Sequence, residues 1–219
     1  YLYNFNISKN LIDAIILSKL RIIFFFAGSS MMFEGFDNKI INENTKFYPI
    51  SYYSKYKVDI HNYFINLKKK KKINGSTFIL FNHDSKLRKK NFLIPRLVKY
   101  FIDKNLIQLN KIYKSNIQGD FSHAYDICYG IYLLIIKKKY PNKIILSSFK
   151  KTSINDLIIY INKFFNYKIN LNRFYKSKRI LIGNNSFAKS YLKYKPKLNI
   201  FNVINYFIEK KRSEEHTSE

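Results

Sequence analysis

Cysteine is nearly absent: Cys128 is the only one in 219 residues. A lone thiol cannot build a disulfide framework, and a reducing cytoplasmic compartment is the one this composition suits. Long apolar runs are missing as well. Residues 22–27 and 131–136 are among the longest, far short of the about 20 residues a membrane-spanning helix needs, so no membrane partner is expected. Acidic residues are few, 14 against 40 basic ones, for a net charge of +26. Taken alone, that balance fits a basic nucleic-acid-binding protein. Arginine, however, is also scarce: Arg21, Arg88, Arg96, Arg173, Arg179 and Arg212 stand against 34 lysines. A phosphate-binding groove is usually locally concentrated and contains arginine. Here lysine is spread along the chain and swells together with Asn, Ile, Tyr and Phe, the residues of A/T-rich codons. Base composition accounts for the charge, and no nucleic-acid partner and no metal is expected.

What is present reads as alternating strands and helices. The length allows one domain with a sizeable core or two small ones. Apolar residues at 11, 12, 14–17 and 20 predict a helix over 10–20, buried over a wide face. Residues 22–26 suit a central parallel strand. Ala27-Gly28-Ser29-Ser30 then puts hydroxyls at the carboxyl edge of the sheet, where open α/β sheets bind ligands. Residues 35–50 read as a loop and 51–67 as a helix, with Tyr53 and Lys57 sharing one face. Lys68 opens a run of five lysines that reads as a solvated helix end. Further on, the pattern predicts strands over 77–81 and 143–147, with a loop over 82–90. It predicts helices over 91–104, 121–137, 186–191 and 200–209, Pro95 suiting a first turn. A last helix covers 153–165, with Ser153 as N-cap and Asp156 three residues on. The fold class is therefore α/β. Residues 212–219 break from the rest in composition, match the translation of a sequencing-library adapter, and are expected to be an artefact.

The Tyr53/Lys57 spacing carries little by itself, since it recurs at Tyr100/Lys104, Tyr191/Lys195 and Tyr206/Lys210. Its surroundings raise it: it follows a strand ending at Ser29 and precedes one ending at Asn82-His83. In this arrangement the chain resembles the GDP-mannose 4,6-dehydratase family, extended short-chain dehydrogenases/reductases that act on nucleotide sugars. Residues 81–88 are similar to the family's Phe-Asn-His-Glu-Ser-Pro-Arg-Arg loop, with Leu87 in place of the first arginine. Residues 119–126 resemble Arg-Asp-Trp-Gly-His-Ala-Lys-Asp, with Gly119 where the arginine would be. Asp120 and Asp126 there read as organisers of the turn and helix start. Residues 183–197 resemble Gly-Asp-x-x-Lys-Ala…Trp-Lys-Pro, with Tyr194 for the tryptophan, and a further family arginine corresponds to Lys176 or Arg179.

The resemblance implies a fold and a set of roles. The fold is the rear part of a Rossmann-type parallel sheet over residues 1–81, followed by a small mixed α/β substrate-binding domain over 82–211. The front third, with the glycine-rich turn that cradles a dinucleotide, is expected to be missing, which would make this chain an inactive fragment. The implied cofactor is NADP and the implied substrate GDP-mannose, with a homo-oligomer as the full-length form. Ser29, Tyr53 and Lys57 take the catalytic positions, Tyr53, Lys57, His83 and Arg88 the cofactor contacts, and Asn82 and Arg96 the substrate contacts. The chemistry suits the residue types. A phenol near an ammonium ionises more readily and can take the proton of the sugar 4-hydroxyl as C4 is oxidised. Met31 is the main departure. The family's glutamate there acts on the C5 proton and assists loss of water, which a thioether cannot do. Glu34 lies three residues on, where the family has glycine, and a turn at the strand end is expected to point it elsewhere. Oxidation at C4 without dehydration would leave a 4-reductase or 4-epimerase.

Overall fold

The computed structural model describes residues 1–37, 39–115, 117–168 and 180–216, with side chains described through Lys210. Its centre is a three-stranded parallel sheet of β1 (Ile23–Ala27), β3 (Asn74–Leu80) and β6 (Lys143–Leu146), in the order β1-β3-β6. Side chains alternate across β1 as a pleated strand requires. Phe24 and Phe26 meet Ile12, Ile60 and Phe64 from helices α1 (Leu2–Leu17) and α2 (Tyr52–Lys69). Phe25 points the other way, into the layer formed by α5 (Ala124–Lys137) and α7 (Ser186–Leu192), where Ile127, Leu134, Ala188 and Leu192 are buried. The two layers close on the sheet because these helices each carry one apolar face. Gly75 is obligatory at the start of β3: its φ is +144°, and a Cβ there would lie 1.7 Å from the Phe24 carbonyl oxygen.

A second, helical module follows. Helices α3 (Leu93–Ile102), α4 (Leu106–Lys114), α6 (Ile154–Phe165) and α8 (Ile200–His216) bury Leu97, Phe101, Leu109, Leu157, Ile161 and Ile204 in one core. Beside them lies a mixed sheet of β4 (Asn82–Asp84), β5 (Gln118–His123) and β7 (Lys151–Ser153); β5 runs parallel to β4 and antiparallel to β7. A short parallel pair, β2 (Lys39–Ile41) with β8 (Leu181–Gly183), links the two ends of the chain. The architecture is α/β, as expected. Among the described residues, no helix is long and apolar enough to cross a membrane.

Several expectations need correction. β1 is an edge strand of the described sheet rather than a central one, and β3 holds the middle. The first helix starts at Leu2 rather than at residue 10. Only Ile12 of it is fully buried, while Leu11 and Leu17 face solvent. Residues 121–123, expected to be helical, belong to β5, because they pair with β4 while 118–120 pair with β7, and this pairing overrides weak strand propensity in Gln-Gly-Asp-Phe-Ser-His. Of the run read as a solvated helix end, Lys69, Lys70, Lys71 and Lys72 are exposed, but Lys68 is not. Its ammonium donates to the carbonyls of Gly75 at 2.7 Å and Tyr140 at 2.6 Å, and burial lowers its pKa. That lysine ties the end of α2 to the entry of the sheet.

Candidate active site

The carboxyl end of β1 is shaped by close packing. Ala27 pairs with Phe78 of β3, and a Cβ on Gly28 would approach the Phe78 carbonyl oxygen to 3.0 Å. The chain then turns through Ser29 into a single 3₁₀ turn, Ser30–Phe33, with Met32 and Phe33 buried beneath it. Ser29 caps this turn: its Oγ accepts the Met31 N–H at 3.1 Å, which leaves its own proton available to donate. The Met31 side chain lies at the surface, 37% exposed.

Helix α2 brings the next two residues to this edge. Ser51 is its N-cap, accepting the Ser54 N–H at 3.2 Å. Lys57, half-buried, donates from Nζ to the Ala27 carbonyl at 2.7 Å. Its ammonium lies 4.8 Å from the ring centre of Phe26, 5.3 Å from Tyr56 and 5.7 Å from Tyr53. Burial pushes the Lys57 pKa down. Tyr53 stacks edge-on against Tyr56 at 5.5 Å and is 46% exposed, and its hydroxyl makes no hydrogen bond among the described residues. The Lys57 ammonium therefore meets the end of β1, two residues before Ser29, and the Tyr53 ring lies one helical turn back, 5.7 Å from that ammonium.

Asn82 and His83 leave the neighbouring strand β3 at its carboxyl end. Asn82 is exposed, and the His83 Nδ1–H donates to the Phe81 carbonyl at 2.8 Å, which turns Nε2 outward as an acceptor in the neutral ring. The two arginines lie elsewhere. The Arg88 Nε sits 3.2 Å from Asp84 Oδ1, and its guanidinium covers the Phe92 ring at 3.9 Å. Burial raises the Asp84 pKa in spite of that pair and of the Ser85 N–H. Arg96 is exposed on α3. No hydrogen bond or ion pair joins either arginine to Tyr53 or Lys57. Lys176 and Arg179 lie outside the described residues. Asp120 and Asp126 have structural duties: Asp120 is buried and takes the N–H groups of Ser148 at 3.0 Å and Phe149 at 2.8 Å, and Asp126 takes that of Leu198 at 2.8 Å.

Glu34 has more to do than its sequence position suggests. It is 3% exposed, and its carboxylate accepts the Ile50 N–H at 2.9 Å, the Ser51 N–H and the Ser54 hydroxyl. Burial raises its pKa, but the donors from Ser51, Ser54 and Ile50 outweigh that and hold it at about 2. An anion so fully committed is not a proton donor at neutral pH.

A sequence profile of the GDP-mannose 4,6 dehydratase family matches residues 3–206. The chain belongs to this family. It is 25% identical over 199 residues to GDP-mannose 4,6 dehydratase 1 of Arabidopsis thaliana, a match covering 85% of this chain and 54% of that relative. The chain therefore spans about half the length of that protein. Among solved structures, UDP-glucuronic acid 4-epimerase from Bacillus cereus, in complex with NAD, superposes with a TM-score of 0.77 at 18% identity, covering 96% of this chain and 68% of that one. RMD from Pseudomonas aeruginosa, complexed with NADPH, gives 0.76 at 16% identity, over 92% and 70%. At such identities the structural likeness speaks for the fold, a Rossmann-type α/β architecture.

Proposed function

We propose that this chain carries the C4-oxidising half of a nucleotide-sugar enzyme, with GDP-mannose as the substrate and NADP as the cofactor of the full-length form. The observation that carries the reading is the Lys57 ammonium on the Ala27 carbonyl with the Tyr53 ring 5.7 Å away, at the carboxyl edge of a parallel sheet. The donors at that edge fit the nicotinamide-ribose end of a dinucleotide: an ammonium, a phenol and a serine hydroxyl. The pyrophosphate end finds no counterpart, since the six glycines are nowhere spaced closer than Gly28 and Gly35 and so form no glycine-rich turn. When bound, the nicotinamide would supply the hydride acceptor. The Tyr53 oxygen acts as a phenolate, the form the Lys57 charge favours, takes the proton of the sugar 4-hydroxyl and becomes a phenol, and Ser29 donates to the sugar oxygen. Asn82 and His83 line the same edge from the adjacent strand, and Arg88 and Arg96 serve phosphates from the second module.

Loss of water across C5 and C6 finds no carboxylate where the family's glutamate would stand. Met31 holds the position of the family's glutamate, and Glu34 is consumed by three donors. C4 oxidation followed by re-reduction, as in a 4-reductase or 4-epimerase, is therefore favoured over dehydration. The test is product analysis with GDP-mannose and NADP, using this chain within a protein of its relatives' full length. A C4-oxidised or C4-inverted sugar that disappears in Tyr53→Phe is expected, and Met31→Glu should restore some 4-keto-6-deoxy product. A 4-keto-6-deoxy product from the unaltered protein would overturn the loss of dehydration. For the 219-residue chain alone, weak NADP binding and no turnover are expected, and tight binding in a fluorescence titration would contradict the reading.

A further inference from the structure

We propose that Glu34 is a positioning residue: its carboxylate locks the turn that carries Ser29 to the first turn of α2, and so fixes where Tyr53 and Lys57 stand against the end of β1. This rests on the reading of that edge as the reaction site.

The argument starts from the helix terminus. The first N–H groups of a helix have no partner within it and must find acceptors elsewhere. In a capping box, the side chain three residues after the N-cap returns to the N-cap N–H. Helix α6 does this locally: Ser153 accepts the Asp156 N–H at 3.1 Å, and Asp156 accepts the Ser153 N–H at 2.7 Å. In α2 the corresponding residue is Ser54, whose hydroxyl accepts the Ile50 N–H at 3.1 Å but not the N–H of the N-cap Ser51. The missing acceptor comes from another element, 17 residues upstream. Glu34 takes the N–H of the N-cap Ser51, the N–H of Ile50 before it and the Ser54 hydroxyl, all on one oxygen. Its charge also sits at the positive end of the α2 dipole, where an anion is favoured.

The other side of the clamp is equally fixed. The Gly35 N–H donates to the Tyr48 carbonyl at 2.8 Å, and the Tyr48 N–H to the Met32 carbonyl at 2.9 Å. A Cβ on Gly35 would fall 2.4–2.6 Å from the Tyr48 ring, so the segment before α2 lies flat on the turn after β1. Ser29 opens that turn. Tyr53 lies between the two clamped serines, and Lys57 follows one turn on. Any slide of the first turn of α2 would therefore carry both away from Ala27 and Ser29. The carboxylate stands where the family resemblance has glycine, so this device belongs to the chain itself.

The test needs neither cofactor nor substrate. The Lys57 Nζ stands 4.8 Å and 5.3 Å from the ring centres of Phe26 and Tyr56, so ring currents displace the NMR signal of the adjacent methylene. That signal is read in the 219-residue chain with ε-¹³C-labelled lysine and assigned with Lys57→Arg. Glu34→Ala, or Glu34→Asp if the alanine variant does not fold, should move it toward the position of solvent-exposed lysines. Glu34→Gln keeps an accepting oxygen and should leave it in place, even though the helix loses its charged cap and stability falls. The proposal is overturned if the alanine or aspartate variant leaves the signal where it was. It is equally overturned if the glutamine variant moves it as far, since lost stability rather than a lost acceptor would then be the cause. No nucleotide is involved, so a negative result here is distinct from a failure of the nucleotide-sugar reading, and the converse holds too.

Discussion

Replacing Lys57 by methionine separates catalysis from stability. The ammonium gives one charge-assisted hydrogen bond to the Ala27 carbonyl, worth about 1.5–3 kcal/mol for a charged donor. It also faces the rings of Phe26, Tyr56 and Tyr53, contacts that add roughly 0.5–1 kcal/mol at partly exposed sites. Against this stands the cost of burying its charge, which is what lowers its pKa. Methionine keeps the apolar stem against the same rings and needs no solvation. The opposing terms are of similar size, so urea unfolding should place Lys57→Met within about 1 kcal/mol of the parent at pH 7. Turnover by the full-length form should fall by about 10²–10⁴, the loss typical of a missing acid–base group. The pH dependence has a definite sign. A lysine with a lowered folded pKa penalises the folded state while it is charged, and the penalty is relieved as pH rises through the folded value toward 10.5. The parent should therefore gain stability relative to Lys57→Met over that alkaline window. A loss beyond about 3 kcal/mol with turnover intact would refute the reasoning, because it is what breaking a buried structural charge pair looks like.

Three further outcomes follow from the same structure. Glu34 has its pKa lowered from 4.5 to about 2, so its contribution, about 3 kcal/mol at 1.36 kcal/mol per pKa unit, is full above pH 4.5 and lost as pH falls to about 2. Glu34→Gln should be less stable by a similar amount at pH 7 and should lack that acid transition in a circular-dichroism titration. His61 is buried 2.8 Å from the Thr77 hydroxyl and edge-on to Phe47, and burial, with the Lys143 charge, brings its pKa to about 4. Its folded pKa lies below the usual 6.5, so acid should cost the protein about 3 kcal/mol between pH 6.5 and 4, a loss that His61→Gln should abolish in the same titration. Gly75→Ala should cost more than about 3 kcal/mol, as a forced left-handed residue with a backbone clash, and should lower Tm by ten degrees or more if the chain folds at all. A Tm within a few degrees of the parent would contradict the backbone geometry drawn for β3.

The elements legible in the sequence are those whose information is local. Ser153 caps its helix as its position suggested, and Asp156 completes its box, because capping depends on residues three apart. Residues 143–147 and 77–81 read as strands because short apolar runs suit a sheet covered on both faces, and the structure has strands at Lys143–Leu146 and Asn74–Leu80. The elements that were missed depend on distant partners. β5 is held by β4 on one side and β7 on the other, and β2 by β8, about 140 residues along the chain, with nothing in three-residue stretches to announce them. Lys68 sat in a run of lysines that looks solvated. Only the tertiary approach of Gly75 and Tyr140 gives its ammonium a site. Tyr53 and Lys57 were singled out by their spacing and neighbours, but the Ala27 carbonyl that anchors the lysine is a backbone atom, which no side-chain pattern reveals.

Glu34 shows where the sequence held a clue that was hard to use. An N-cap serine with serine rather than an acid three residues later leaves a helix start short of one acceptor. Such a helix must borrow a carboxylate from elsewhere or expose its N–H groups to water. Glu43, Asp37 and Glu34 all lie within 17 residues upstream, and the structure uses Glu34. On the proposed reading, the same fact bears on chemistry. A carboxylate can serve as a helix cap or as an acid–base group at neutral pH, but not as both, because the donors that fix it also remove its affinity for a proton. With the glutamate three residues beyond Met31 and Met31 itself exposed, the edge of β1 retains the phenol, ammonium and hydroxyl that C4 oxidation requires. It lacks the titratable group that loss of water demands. Restoring dehydration therefore calls for a new carboxylate at residue 31 rather than any repositioning of Glu34.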